Sequence, residues 1–295
     1  MNTLIGILER IDRRIIYLVV AAALATPLIF NFTLPPAPME TADAFYKELK
    51  DLKAEPGRIA LIAADWGPGT QAENMPQFMS TMEHLMRKRI PFGVISIYQL
   101  SDPFLRTLPQ KVADALQKEM PGERWEYGKD WVNFGFQPGG IIMIQGLAQS
   151  KSILDKLKSD ANGTPLSEIP CLKGVTNLKS ISVLIEFTGL VGVLSSWIQY
   201  FQADGYKPHI LHGCTSVSIP DAYNYFASGQ IKGLHEGLAG VAWYDFLLSK
   251  EFPNRKPGPA QLQNTSLAIA HLVIIAFILL ANVSVLRRFS SGGKD

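Results

Sequence analysis

Cysteine is scarce in this sequence, with two residues, Cys171 and Cys214, in a chain of 295. That excludes a disulfide framework of the kind that staples small secreted domains, and leaves open either one bridge or two buried thiols. Charge is thin as well. Lys and Arg number 28 against 26 Asp and Glu, a net charge of +2, and no concentrated basic patch stands anywhere, so nucleic acid is not expected as a partner. There is no dinucleotide fingerprint, no P-loop, no internal repeat and no low-complexity tract. The spacing of the His, Cys and acidic residues is diagnostic of no metal, and neither a cofactor nor a metal is expected.

What the chain does have is apolar surface concentrated at its ends. Residues 15–32 (IIYLVVAAALATPLIFNF) and 267–286 (LAIAHLVIIAFILLANVSVL) carry no charge. Each is close to the ~20 residues a helix needs to cross a bilayer. A cleaved signal peptide would also explain basic residues ahead of Ala21, Ala23 and Ala25, but the apolar run continues through Leu28, Ile29 and Phe30, which favours a retained anchor. Arg10, Arg13 and Arg14 precede the first segment, and Arg287, Arg288 and Lys294 follow the second. Both termini are therefore expected in the cytoplasm and the intervening domain outside it, although Lys250, Arg255 and Lys256 on the domain side pull the other way. The expected division is a cytoplasmic N-terminus over 1–14, a transmembrane helix over 15–32, and a proline-rich exit with a juxtamembrane helix over 33–56. An α/β domain over 57–250, a linker over 251–266, a second transmembrane helix over 267–286 and a cytoplasmic C-terminus over 287–295 complete it.

Between the spans, short apolar runs alternate with amphipathic stretches. Strands are predicted over 58–64, 91–98, 140–145, 181–187 and 208–211, and helices over 41–53, 73–89, 109–120, 150–159, 190–203 and 219–249. Strands alternating with helices imply right-handed crossovers and a parallel sheet covered on both faces. The fold expected is an open, doubly wound, mostly parallel α/β sheet of about five strands. Residues 127–139 (YGKDWVNFGFQPG) read as a loop or hairpin placing aromatics over the sheet edge.

In such sheets ligands gather beyond the carboxyl ends of the strands. The candidates there are Asp65 and Trp66 after the first strand, Glu186 and Thr188 at the fourth, and His212, Cys214 and Thr215 after the fifth. Asp65, His212 and Cys214 could act as acid, base and nucleophile; capping and packing explain the same residues more simply. The glycine turns over 66–70 (WGPGT) and 188–192 (TGLVG) sit at strand-to-helix junctions, but Pro68 removes an amide that a phosphate cradle would use.

Gly229, Gly233, Gly237 and Gly240 recur at helical intervals, which predicts a helix face without side chains, suited to close packing within the chain or against a partner helix. His271 and Asn282, eleven residues apart in the second apolar segment, fall on nearly one helical face and point to helix association rather than proton transport. The segments 65–73 (DWGPGTQAE), 127–139 (YGKDWVNFGFQPG) and 228–238 (SGQIKGLHEGL) resemble those of a family of two-pass prokaryotic membrane proteins without an assigned activity. The family continues the last segment to Glu-Tyr-Glu where this chain has Ala242, Trp243, Tyr244 and Asp245. The resemblance implies a shared architecture in the inner membrane and transfers no functional residue. The leading expectation is a non-enzymatic subunit of an oligomeric or multi-protein membrane assembly. A ligand-binding or sensing domain around Asp65, Glu186 and His212 comes second, and a membrane-tethered hydrolase or transferase third.

Overall fold

Residues 12–203 and 205–291 are described by the computed structural model; Arg10 and Lys294, named above as flanking charges, lie outside them. The chain divides into two bodies, Met1–Pro36 with Gln261–Asp295, and Ala37–Ala260.

In the first body, α1 (Arg13–Phe30) is uncharged from Ile15 onward, capped at its start by the Asp12 side chain and ended by Asn31 in the left-handed region at φ 53°. Pro27 stands inside it, and the Thr26 hydroxyl donates to the Ala22 carbonyl at 2.7 Å. Both this helix and the stretch Pro259–Asn282 of the last helix are long and apolar enough to cross a membrane. The Leu34 amide donates to Thr265 Oγ1 at 3.0 Å.

In the second body, α2 (Glu40–Asp51) leads to β1 (Ile59–Asp65), every residue of which is buried. A strand apolar throughout is what a sheet covered on both faces requires. The order continues with α3 (Gln71–Arg87), β2 (Phe92–Ser96), α4 (Asp102–Glu119), β3 (Trp131–Phe136), α5 (Ile141–Ala148), α6 (Ile153–Leu157), β4 (Ile181–Thr188) and α7 (Val193–Phe201). Then follow β5 (His209–Cys214), α8 (Ile219–Ala227), β6 (Gly233–Glu236) and α9 (Gly237–Glu251), and a final helix, α10, spans Pro259–Ser291. Six strands form one sheet in the order β3-β2-β1-β4-β5-β6, all parallel. This is the doubly wound order with its reversal between β1 and β4. Ile59, Leu61, Leu184 and Ile210 face a layer built by α5 to α8, while Ile62, Ile185, Phe187 and Leu211 face a layer built by α2, α3, α4 and α9.

The structure departs from the sequence reading in four places. The run 140–145 is helical, the start of α5, and the strand lies instead at Trp131–Phe136, inside the stretch read as a loop or hairpin. A short, wholly apolar run has no periodicity to distinguish strand from helix, and Gly139 and Gly140, both at positive φ, launch the helix. The segment read as one helix over 219–249 is three elements, α8, β6 and α9, which raises the strand count from five to six. Gly229 (φ 72°) turns the chain out of α8 and Gly237 (φ 55°) turns it into α9, so Gly229, Gly233, Gly237 and Gly240 do not form a helix face. Helix α4 begins at Asp102 and carries Pro109 in its interior, and residues 259–266 are helical rather than linker.

Gly233 has a separate purpose. A Cβ there would stand 2.3 Å from the Phe45 Cα and 2.4 Å from its nitrogen, because the backbone of α2 lies directly on β6. The return from α9 is pinned in a similar way. Arg255 Nε and Nη2 donate to both carboxylate oxygens of Glu83 at 2.7 and 2.8 Å, and Nη2 also to Asp245 Oδ1 at 2.6 Å, while a Cβ at Gly258 would stand 1.9 Å from Asp245 Oδ2. Gly233→Ala is expected to destabilise the fold by about 3 kcal/mol, as overpacking against backbone does, whereas Gly69→Ala, whose Cβ would meet nothing within 4 Å, should be neutral or slightly stabilising. Chemical denaturation of the two variants measures the difference, and equal midpoints would disprove the close α2–β6 contact.

Candidate functional site

The parallel register brings the carboxyl ends of β1, β4 and β5 together, with Asp65 opposite Thr188, Thr188 opposite Cys214, and Glu186 opposite His212. Asp65 is fully buried, and all its bonds run to the frame. Its Oδ1 accepts from Ser96 Oγ at 2.9 Å and the Ile97 amide at 2.8 Å, and its Oδ2 from Trp197 Nε1 at 3.0 Å. Its carbonyl accepts from Thr188 Oγ1 at 2.9 Å. Burial first, and the charge of Glu186 second, push the Asp65 carboxyl up to about 7, against the pull of those three donors. Trp66 is fully buried as well, packed on Phe104 with the rings tilted by 33° and their centroids 4.4 Å apart.

Glu186 and His212 form a buried pair, with Nδ1 2.6 Å from Oε2 and 3.2 Å from the Glu186 carbonyl oxygen. Burial alone would lower the His212 pKa; the Glu186 charge overcomes this, with a smaller contribution from Cys214, and holds it up at about 10. Burial raises the Glu186 carboxyl, with the imidazolium opposing. Neither Glu186 carboxylate oxygen makes a well-aligned hydrogen bond, so its hold on His212 is mainly one of charge.

The reversal of strand order between β1 and β4 is where ligands bind in most sheets of this kind. Here that point is sealed. A Cβ at Gly189 would stand 2.4 Å from Thr70 Cγ2, so the two glycine turns noted in the sequence lie against each other. The open cleft is one strand further along, between β4 and β5, with a volume of about 550 Å³. Thr188 and His212 line it from the sheet, Ser195 from α7, and Asp221, Asn224 and Tyr225 from α8. Neither α7 nor α8 has a side-chain cap, so first-turn amides at both helix starts have no side-chain acceptor.

Of the residues singled out in the sequence, Thr188 and His212 line the cleft and Glu186 stands behind His212. Asp65 and Trp66 are structural. Cys214 is buried in the apolar layer with its Sγ 3.8 Å from the His235 carbonyl oxygen, and Thr215 accepts the Ser218 amide on its carbonyl. Asp65 shares no hydrogen bond with His212 or Cys214, so the acid, base and nucleophile triad is not assembled. Both cysteines are free, Cys214 buried and Cys171 half-buried. Among the described residues, no three His, Cys, Asp or Glu gather where a metal could sit. Sequence reasoning missed Ser195, Asp221, Asn224 and Tyr225, which lie within α7 and α8 and not at strand ends, where the search for site residues was made. His235 was also passed over; it is fully buried, stacked on Phe45 with ring centroids 3.7 Å apart, with both nitrogens unpartnered, and burial drives its pKa well down, so it is neutral.

Comparison of the chain with family models, with curated proteins and with solved structures finds no match.

The raised Asp65 pKa links to stability with a definite sign. The folded state binds this proton more tightly than the unfolded chain, so the contribution is present in full below 3.8 and is lost as pH rises to about 7, a change on the order of 4 kcal/mol. Asp65→Asn removes the titration, and its thermal midpoint is expected to be flatter than the wild-type curve between those two pH values. Parallel curves would show that the carboxyl titrates in its ordinary range.

Proposed function

We propose that this is a two-pass membrane protein of a prokaryotic inner membrane whose α/β body, on the non-cytoplasmic side, binds a small polar ligand with an anionic group in the cleft between β4 and β5. The observation that carries the reading is the buried Glu186–His212 pair at the floor of an open cleft of about 550 Å³. A buried ion pair contributes less to stability than apolar residues of the same volume, so its value lies in what it can present to a ligand. The imidazole is held in one orientation by Glu186 and forms part of the cleft wall. The uncapped start of α7 supplies amides and the positive end of a helix dipole, the standard reception for a phosphate or carboxylate, while α8, with Pro220 in its first turn, adds its dipole. Ser195, Asn224 and Tyr225 add hydroxyl and amide groups for the rest of the molecule.

Anchoring rests on the two apolar helices, and the orientation on Arg13 and Arg14 ahead of the first and Arg287 and Arg288 beyond the apolar part of the second. An assembly subunit is the second reading. Its glycine-face argument is gone, and its support is His271 and Asn282, both exposed on the last helix, although the Asn282 amide already donates to the Ile278 carbonyl at 3.0 Å.

The cleft reading is tested by thermal unfolding of the full chain in lipid nanodiscs with inorganic phosphate, glycerol phosphates and small carboxylates. A ligand at a hundredfold its Kd adds about 2.7 kcal/mol, a midpoint rise of roughly 5–10 °C, and His212→Gln should abolish that rise. No stabilisation by any of these compounds, or an undiminished rise in His212→Gln, would sink it. A mass above that of one chain in native mass spectrometry from the membrane is expected only on the assembly reading.

A further inference from the structure

Because all six strands are parallel, their carboxyl ends lie along one edge of the body, and that edge has an unusual surface. Leu100 follows β2, Ile141 and Ile142 follow β3, Val191 follows β4 and Val217 follows β5, and they are 53, 52, 77, 89 and 90% exposed. Among the described residues of the body Ala37–Ala260, these are all of its exposed large aliphatic side chains. The opposite edge, where the strands begin, bears exposed Arg124, Lys173, Lys179 and Lys207. Aliphatic side chains gathered on one edge while the other is charged form the kind of apolar patch that marks an interaction site.

The chain connections point to what covers it. Residue Thr41, in the first turn of α2, bonds through its hydroxyl to Glu236 at the carboxyl end of β6, and Tyr223 Oη donates to the same oxygen at 2.7 Å. At the other boundary, Ala260 packs with Val241 and Ala242 in the first half of α9, which starts where β6 ends. The chain thus enters the body and leaves it at the carboxyl edge, and both connections lead directly to helices long and apolar enough to cross a membrane. We propose that the carboxyl edge rests in the interfacial zone of the lipid bilayer, with Leu100, Ile141, Ile142, Val191 and Val217 inserted among headgroups and upper acyl chains. The inference rests on the two-pass reading and deepens it, because Val191 lines the cleft, so the cleft opens at the lipid surface.

The test uses the full chain in nanodiscs, in a Cys171→Ser, Cys214→Ala background that retains the wild-type unfolding midpoint. Ile142→Cys, Val191→Cys and Val217→Cys are each labelled with an environment-sensitive fluorophore, alongside Lys173→Cys on the opposite edge. The expected result is quenching of the first three labels by spin-labelled lipids and at least tenfold protection from aqueous iodide relative to Lys173→Cys. Iodide access equal to that of Lys173→Cys overturns the proposal, and so does protection without lipid quenching, which would place a second protein on the edge. Release of the wild-type chain from its native membrane by alkaline carbonate would instead remove the two-pass reading, and phosphate-induced stabilisation reports on the cleft whatever the label depths.

Discussion

One carboxyl group organises the working edge of this sheet. Asp65 ends the central strand, and its two oxygens tie it to the turn after β2 and to the indole of α7, while its carbonyl accepts the Thr188 hydroxyl from β4. The ends of β1, β2 and β4 and one helix, α7, meet on this residue. A carboxyl without exposure can hold that position only because every lone-pair direction it offers is answered by a donor or by its own proton. With these ends drawn together, the turns after β1 and β4 close on each other at Thr70 and Gly189, and the usual binding crevice of a doubly wound sheet has no room to form. The cleft is displaced to the neighbouring pair of strands, where Glu186 and His212 take over as the buried polar residues nearest the opening.

The division of labour among the polar strand ends follows from burial. Asp65 and Glu186 share a sheet face and repel when both are ionised, and each meets that conflict differently. Asp65 is surrounded by neutral donors and tends toward its protonated form, whereas Glu186 has His212 beside it. His235, one strand further on and on the opposite face, has no hydrogen-bond partner on either nitrogen and is kept neutral by burial in an aromatic stack. Three ionisable groups of similar burial thus end as latch, cleft floor and core filler.

How much of this was legible in the sequence depended on whether each segment carried its own punctuation. The strand at Ile59–Asp65, with an apolar run closed by glycine and proline, could be read directly, and with it the parallel α/β class and the two apolar terminal helices. The convergence of Glu186 and His212 was foreseeable from strand ends alone. The strand at Trp131–Phe136 was not, since aromatic residues, Asn133 and Gly135 break its apolar pattern. The glycines from Gly229 to Gly240 misled because a spacing of four is shared by a smooth helix face and by two turns flanking a four-residue strand. Only the left-handed φ values at Gly229 and Gly237, and the backbone of α2 over Gly233, distinguish the two.

The side-by-side entry and exit of the chain have a mechanical meaning. Unfolded, the segment between the two connections would be a coil with a radius of gyration on the order of 50 Å, and its ends would wander independently. Folded, it brings both ends to the last strand, one against the tip of β6 and the other against the start of α9. The body is therefore a clasp on its own two connections, holding them at neighbouring points for as long as it stays folded. Force applied at those two connections would load β6, α2 and the Arg255 anchorage before it reached the central strands.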